Sequence, residues 1–449
     1  MHTSLAQKIH QALELSSLDP LTPSLESPLQ TEAVGNAELP SCFAVTDLAA
    51  ASISAAANEL ASLTAASKVT VDRRLAALWF DMTLRPEGWT LPSAWDAIAG
   101  VYRTSNGWIR LHTNAPHHRA AALRVLECQA DKANVEKAVA NWEKSTLENA
   151  IVSEAGAAAA MHSLQEWASH PQGLAVAAEP LIAWQKVTEG GRHSTFEQTK
   201  VLDLTRVLAG PVATRFLAGF GAQVLRIDPP WWSEPGVEPE VTIGKRRTGF
   251  DLHQSRDREL FDQLLTQADV LVHGYRPGAL KGLGYDREQL SAIAPHMIDV
   301  SLCAYGWSGP WAERRGFDSL VQMSCGIAAE GMSRKGVDQP VPLPVQALDH
   351  ATGYLMAAAV LRALRLRNHT GEVYSARLSL ARTAHLLISA GPRDFRGKAI
   401  ASTLQDLNNR IEQTSWGAAK RLQFPVQLDG KPPNWKIPAG QLRIDPPRW

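Results

Sequence analysis

The sequence predicts an α/β protein, a Rossmann-like parallel sheet domain with helices on both faces plus a smaller α/β domain. Three observations predict it. VLDLTRVLAGPVATRFLAGFGAQVLRID, Val201 to Asp228, reads as strand, tight turn, helix and strand in one short unit. Within it Leu202, Leu204, Val224, Leu225 and Ile227 form short apolar runs suited to strands buried on both faces, and Phe216, Leu217 and Phe220 form a helical stripe. An Ala-rich helix opening at Asp349 and a following strand (GEVYSARLSLA) supply a second unit of the same class, with Pro342 and Pro344 extending the approach and Gly371 as the stop. Finally, 449 residues suffice for two or three domains with sizeable cores.

From the N-terminus, the first recognisable element begins at Asp47, where an aspartate, an Ala-rich helix, a short break and a strand follow one another (DLAAASISAAANELASLTAASKVTVDRRLAALW). The order recurs from Asp349, and aligning the two aspartates sets Ala55 to Ala57 opposite Ala357 to Ala359. An internal repeat is therefore expected. His112, His117 and His118 cluster next, the last two opening a helix after Pro116; no cysteine or carboxylate completes a ligand set, so they read as surface or helix-start residues. Glu166 and His170 read as a packed helix and turn. In the Val201 to Asp228 unit, Asp228 stands where a ribose-binding carboxylate would, but the turn Ala209-Gly210-Pro211 lacks G-x-G-x-x-G, which argues against a nicotinamide dinucleotide. LRIDPP occurs at Leu225 to Pro230 and at Leu442 to Pro447; paired prolines remove ladder donors, so both copies should end extended segments. The Pro-rich tail from about Gly391 to Trp449 reads as an extended wrap over the surface.

Composition narrows the function. Lys plus Arg equals Asp plus Glu at 45 each, so no global field recruits nucleic acid or membrane. No apolar run reaches the roughly 18 residues of a membrane helix, and MHTSLAQKIHQALELSS lacks a basic region followed by an apolar core, so a cytoplasmic protein is expected. Cys42, Cys128, Cys303 and Cys325 are scattered without C-x-x-C and are expected as buried thiols, with neither disulfide nor zinc site.

Several blocks in register carry a resemblance. VLDLTRVLAGP, FDLHQSRDRELFDQLLTQADVLVHGYRPGALKGLGYDREQL (Phe250 to Leu290), AYGWSGPWAERRGFD (Ala304 to Asp318) and ALDHATGYLMAAAVLRALRLRNHTGEVYSARLSLA (Ala347 to Ala381) resemble, in order and spacing, the family III CoA-transferases, the group of carnitine-CoA and formyl-CoA transferases. Gly100 to Pro180 resembles that family's small domain and returning tail, yet precedes the nucleotide-type segment. The resemblance thus implies a permuted, partly duplicated chain: residues 1–195 as the rear half of a degenerate unit, 196–395 as the CoA-binding and catalytic region, and 396–449 as a Pro-rich extension. It also implies a homodimer acting on acyl-CoA and carboxylic acids, with coenzyme A as substrate and no resident cofactor or metal.

Asp349 falls on the family's nucleophilic aspartate, while its local sequence fits an N-cap; a helix N-terminus suits both, since it favours the ionised carboxylate and its amides could receive the oxyanion. For the phosphates of coenzyme A the candidates are Arg226, Lys245, Arg246 and Arg247, then Tyr275, Arg276 and Lys281 around Pro277-Gly278, although a solvated charge run would look the same. Here HGYRPG replaces the family's usual ENFRPG. Tyr305 and Gly306 in AYGWSGP are candidates for a closing loop, the alternative being an ordinary surface turn. The related α-methylacyl-CoA racemases use a histidine in a G-H-D segment; this chain has Gly316-Phe317-Asp318, and phenylalanine cannot move a proton. A non-catalytic CoA-binding or scaffold protein on the same fold is the alternative from another class.

Overall fold

The structure is a computed structural model and describes residues 3–14, 30–191 and 193–449. The described residues build a seven-stranded sheet from β1 (Ala183–Thr188), β2 (Lys200–Leu204), β3 (Gln223–Asp228), β4 (Lys245–Gly249), β5 (Val270–His273), β6 (Ile298–Cys303) and β7 (Val373–Ser379). Their spatial order is β4-β3-β2-β5-β6-β7-β1, parallel throughout except for β1 against β7. Val201, Leu202, Val270, Leu271 and Val272 are fully enclosed, which is why these strands read as apolar runs without alternation. From β2 the chain runs outward to β4, then returns to β5 and runs the other way to β7. The reversal between β2 and β5 opens a crevice at the carboxyl ends of those strands, where open parallel sheets bind ligands.

Six helices position the site: α1 (Val45–Thr64), α2 (Pro116–Leu126), α3 (Ala209–Gly219), α4 (Asp318–Ser324), α5 (Ala347–Thr370) and α6 (Leu380–Ile388). Helix α5 is buried on nearly every side, so it has no amphipathic stripe. Helices α1 and α3 pack against it. At Gly353 a Cβ would stand 2.3 Å from the Ala209 carbonyl oxygen, so only glycine lets the start of α3 cross α5 this closely.

The likeness of the two Ala-rich segments extends into backbone geometry. The residues before α1 and α5, Ala44 (φ −77°, ψ 55°) and Gln346 (φ −75°, ψ 63°), share a conformation, and neither makes a side-chain cap bond. Both helices end on a left-handed residue, Ala65 (φ 56°) or Gly371 (φ 75°), and each is followed by a strand and a shorter helix. Asp47 and Asp349 are third in their helices, so Asp349 is not the N-cap that its local sequence suggests. Asp47 pairs with Arg73 at 2.8 Å.

A smaller α/β unit forms from residues 100–160. The strands Gly100–Thr104, Gly107–Leu111 and Ala158–Ala160 pair antiparallel, and α2 with Lys132–Val139 and Lys144–Ser153 closes over Tyr102, Ile109, Leu147 and Ile151. Glu166 completes a capping box with Ser163, and His170 caps the helix Pro171–Ala178, as a packed helix and turn require.

The tail departs from an extended wrap. Leu407–Thr414 and Gly417–Leu422 form a hairpin that continues onto Leu84–Pro86, and Val426–Leu428 joins Lys68–Asp72. The second LRIDPP is not a strand: Arg443 has φ 61°, and the Asp445 carboxylate accepts from the Arg247 amide at 2.7 Å beside β4. One copy therefore pairs with β4 through the sheet and the other covers its outer edge, protecting an otherwise open strand. The three sequence units share sheets in this way: β1 completes the sheet of 196–395, and the tail extends those of 1–195. Cys42, Cys303 and Cys325 are buried, whereas Cys128 is half-buried, against the expectation for it. Among the described residues no helix is long and apolar enough to cross a membrane.

Candidate active site

A cleft of about 350 Å³ occupies the switch point. Leu204 at the end of β2, Gly274 and Tyr275 after β5, and Cys303 at the end of β6 line it, and Asp349 reaches it from the first turn of α5. Asp349 is 7 % exposed. The capping role proposed for it belongs to Asp318, the first residue of α4, whose Oδ2 accepts from the amides of Leu348 (2.8 Å) and Asp349 (2.9 Å). Gln322 holds Asp318 in turn, donating from Nε2 to Oδ1 while its own Oε1 accepts from the Leu343 amide. A fully buried carboxylate thus satisfies the helix end from outside. The Asp349 side chain is left to face the cleft.

One consequence corrects the sequence reading. The amides of Ala347 and His350 bond to Val345 and Gln346 carbonyls, and those of Leu348 and Asp349 bond to Asp318, so this helix end has no amide to offer an oxyanion. The N-terminal end of α3, through Leu208 and Ala209, is one helix terminus that lines the cleft with its positive dipole end. Electrostatics couples the two aspartates. Burial, and then the charge of Asp318, raises Asp349 well above the usual carboxylate range. Burial lifts Asp318 to about 6, against the pull of the Asp349 amide and Gln322.

The predicted phosphate ligands divide. Tyr275 and Arg276 line the cleft. Lys245 does not: it is fully buried, and its ammonium donates to Asp203 (2.9 Å), Thr214 (2.6 Å) and the Pro211 carbonyl (3.0 Å), which uses all three donors. Arg226, also fully buried, is held by Asp228 and Glu234. Arg247 is bound to Asp445 and the Pro438 carbonyl. Arg246 is half-buried on β4 and Lys281 exposed on the short helix Ala279–Gly282, both away from the cleft lining. Tyr305 is buried against Ser324, and Gly306 (φ 108°) lies behind it beside Glu179. The AYGWSGP segment is pinned rather than free to close: Glu179 accepts from the amides of Trp307 and Ser308 and from the Ser308 hydroxyl, and Gln172 donates to the Tyr305 and Ser308 carbonyls.

The sequence reading passed over Arg206, Arg314 and Arg315 and took His117 and His118 for surface or helix-start residues, yet all five line the cleft. Arg206 lies between the Trp232 (4.8 Å) and Tyr275 (5.4 Å) rings and donates to the Tyr275 hydroxyl. Arg314 covers Trp311 at 4.0 Å and reaches Glu148 in the smaller unit. Burial, then the charge of neighbouring Arg276, lowers Arg315. The available signal was position, since Arg206 follows the first strand at its carboxyl end. Nor are His112 and His118 surface residues. His112 stacks on Phe317 at 3.7 Å, His118 meets the same ring edge-on at 5.7 Å, and both are buried.

The site is thus a cleft at the switch point of a mostly parallel sheet, lined by cationic side chains and by Asp349, whose amide is held by the buried Asp318. Residues 196–401 match the sequence model of CoA-transferase family III, so this segment is similar to that family. It is 36 % identical over 187 residues to the acetyl-coenzyme A transferase nodX of Hypoxylon pulicicidum, covering 40 % of this chain and 31 % of that protein. To the succinyl-CoA:glutarate CoA-transferase of Mus musculus it is 33 % identical over 189 residues, or 39 % and 43 % of the two chains. A crystal structure of a hypothetical protein from Mycobacterium tuberculosis aligns at 29 % identity and a TM-score of 0.38, over 43 % of this chain and 57 % of the other. The chain spans less than half the length of the first curated relatives it matches.

Proposed function

We propose that this protein is a CoA-transferase that moves coenzyme A between an acyl-CoA thioester and a free carboxylic acid through a covalent intermediate on Asp349. The observation that carries the reading is a buried carboxyl, relieved of capping by Asp318, facing a cleft walled by Arg206, Arg276 and Arg315. The relatives named as CoA-transferases support the same class of reaction. Coenzyme A enters as substrate, its phosphates meeting Arg206 and Arg276, whose forked donors suit phosphate oxygens.

Ionised Asp349 attacks the thioester carbonyl, the C–S bond breaks, and a mixed anhydride and CoA thiolate result. The thiolate then attacks the aspartyl carbonyl, releasing the donor acid and leaving CoA as a thioester on Asp349. An incoming carboxylate attacks this thioester and frees the thiolate, which takes the new acyl group and restores the aspartate. No net redox change occurs, and no cofactor is consumed. Burial shields the anhydride from water. The homodimer implied by the resemblance belongs to this reading, and sedimentation tests it.

Replacing Asp349 by Asn preserves shape but removes the nucleophile. Exchange across a panel of acyl-CoA donors and free acids should fall by several orders of magnitude in Asp349→Asn, with the fold unchanged by circular dichroism. Near-normal exchange, deamidation being excluded by mass, would remove Asp349 from the reaction. Absence of exchange from the wild-type protein, with CoA esters still bound, would instead leave a binding protein.

A further inference from the structure

We infer that His118 is a specificity residue that selects acyl groups carrying an acceptor oxygen along the chain. The inference deepens the transferase reading and rests on it. His118 is 4 % exposed, lines the cleft that holds Asp349, and has no hydrogen-bond partner for either ring nitrogen. Its packing fixes its place: His117 lies edge-on at 4.1 Å and Phe317 at 5.7 Å, and Phe317 directly precedes Asp318, which holds the Asp349 amide. The imidazole thus reaches the cleft from the smaller unit, packed against the residue that precedes Asp318. Burial drives its pKa down to about 3, so it is a neutral ring with one N–H donor and one acceptor, both unmet.

A buried polar group without a partner is costly, and a site built around one discriminates against ligands that cannot satisfy it. The cleft also presents apolar side chains, among them Leu204, Val207, Leu208, Leu302, Phe317 and Leu380. A plain alkanoyl chain would fill that space and leave the His118 N–H unpaired. An acyl chain bearing a hydroxyl or a second carboxylate would complete it. Arg315, whose charge is felt at His118, would further assist a carboxylate.

The test compares butanoyl-CoA, 3-hydroxybutanoyl-CoA and succinyl-CoA, equal in chain length, by exchange rate and by calorimetric binding, in wild type, His118→Leu and His118→Gln. Wild type should favour one or both oxygenated donors by about ten- to a hundredfold, the expected scale for satisfying a buried donor. A preference for succinyl alone assigns the Arg315-assisted carboxylate; a preference shared with the hydroxyacyl ester assigns the simple acceptor. His118→Leu should reduce the ratio to about one, and His118→Gln, which retains an N–H, should keep much of it. Equal treatment of the three donors by wild type, or an unchanged ratio in His118→Leu, overturns the inference. Because binding is read separately, loss of all exchange with the preference retained would defeat the transferase reading and leave His118 in its role.

Discussion

Asp318 and Asp349 divide between them two tasks that a helix-opening aspartate could combine. Asp318 bonds the amides, and Asp349 is held at the cleft by the turn those bonds fix. Since attack requires ionised Asp349, and part of its elevation comes from the charge of Asp318, Asp318→Asn should move the acid limb of the kcat/KM profile to lower pH. An unmoved limb would show that the charge of Asp318 does not reach the reaction. The pair also affects stability. Both folded values lie above the roughly 3.9 of an unfolded aspartate, so the native state holds extra protons; the stability this contributes is present below about pH 4 and is lost as pH rises through about 6 for Asp318. Lys245 illustrates a different residue-scale outcome. Its removal in Lys245→Ala strands the buried charge of Asp203, and a loss of about 3 to 5 kcal/mol is expected in urea unfolding. A raised KM for CoA esters with stability intact would return it to the phosphate site.

The misreading of that lysine has its cause at the element scale. Lys245, Arg246 and Arg247 lie on β4, where successive side chains point to opposite faces, so three adjacent cations do not make one patch. The elements easiest to read were those whose burial pattern has one meaning: β2, β3 and α3 emerge where the apolar runs place them. The start of α5 was harder, because an acceptor from a distant helix replaced the local cap. Crossing of α3 over α5 depends on Gly353, and Gly353→Ala should lower stability by roughly 1 to 3 kcal/mol and reduce exchange by shifting Leu208 and Ala209 from Asp349. Wild-type stability in that variant would mean the helices can separate freely. Asp47, at the matching place in α1, pairs with Arg73 in a partly exposed position, and Asp47→Ala should cost only about 0 to 1 kcal/mol with exchange intact.

At the scale of the molecule, the cleft is closed by chain segments far apart in sequence: α2 brings His117 and His118, while α5 brings Asp349. Such convergence has no local signature, which is why the histidines read as bland while Asp349 stood out by resemblance. The tail was obscure for a related reason, its half-exposed hairpin strands being mostly polar and their partners lying in Leu84–Pro86 and Lys68–Asp72. Its Asp445 fastens the outer edge of β4, and Asp445→Ala should lower stability by about 1.5 to 3 kcal/mol, the scale of a charged hydrogen bond, with the KM for CoA esters unchanged. Equal stability would reduce this part of the tail to a surface ornament. All of these parts serve one claim, that Asp349 carries coenzyme A covalently. Rapid quenching of the protein mixed with acyl-CoA, followed by peptide mass spectrometry, tests it directly: the account predicts a CoA thioester or acyl anhydride on the peptide containing Asp349, absent in Asp349→Asn, whereas exchange proceeding with that peptide unmodified, or with the adduct on another residue, would contradict it.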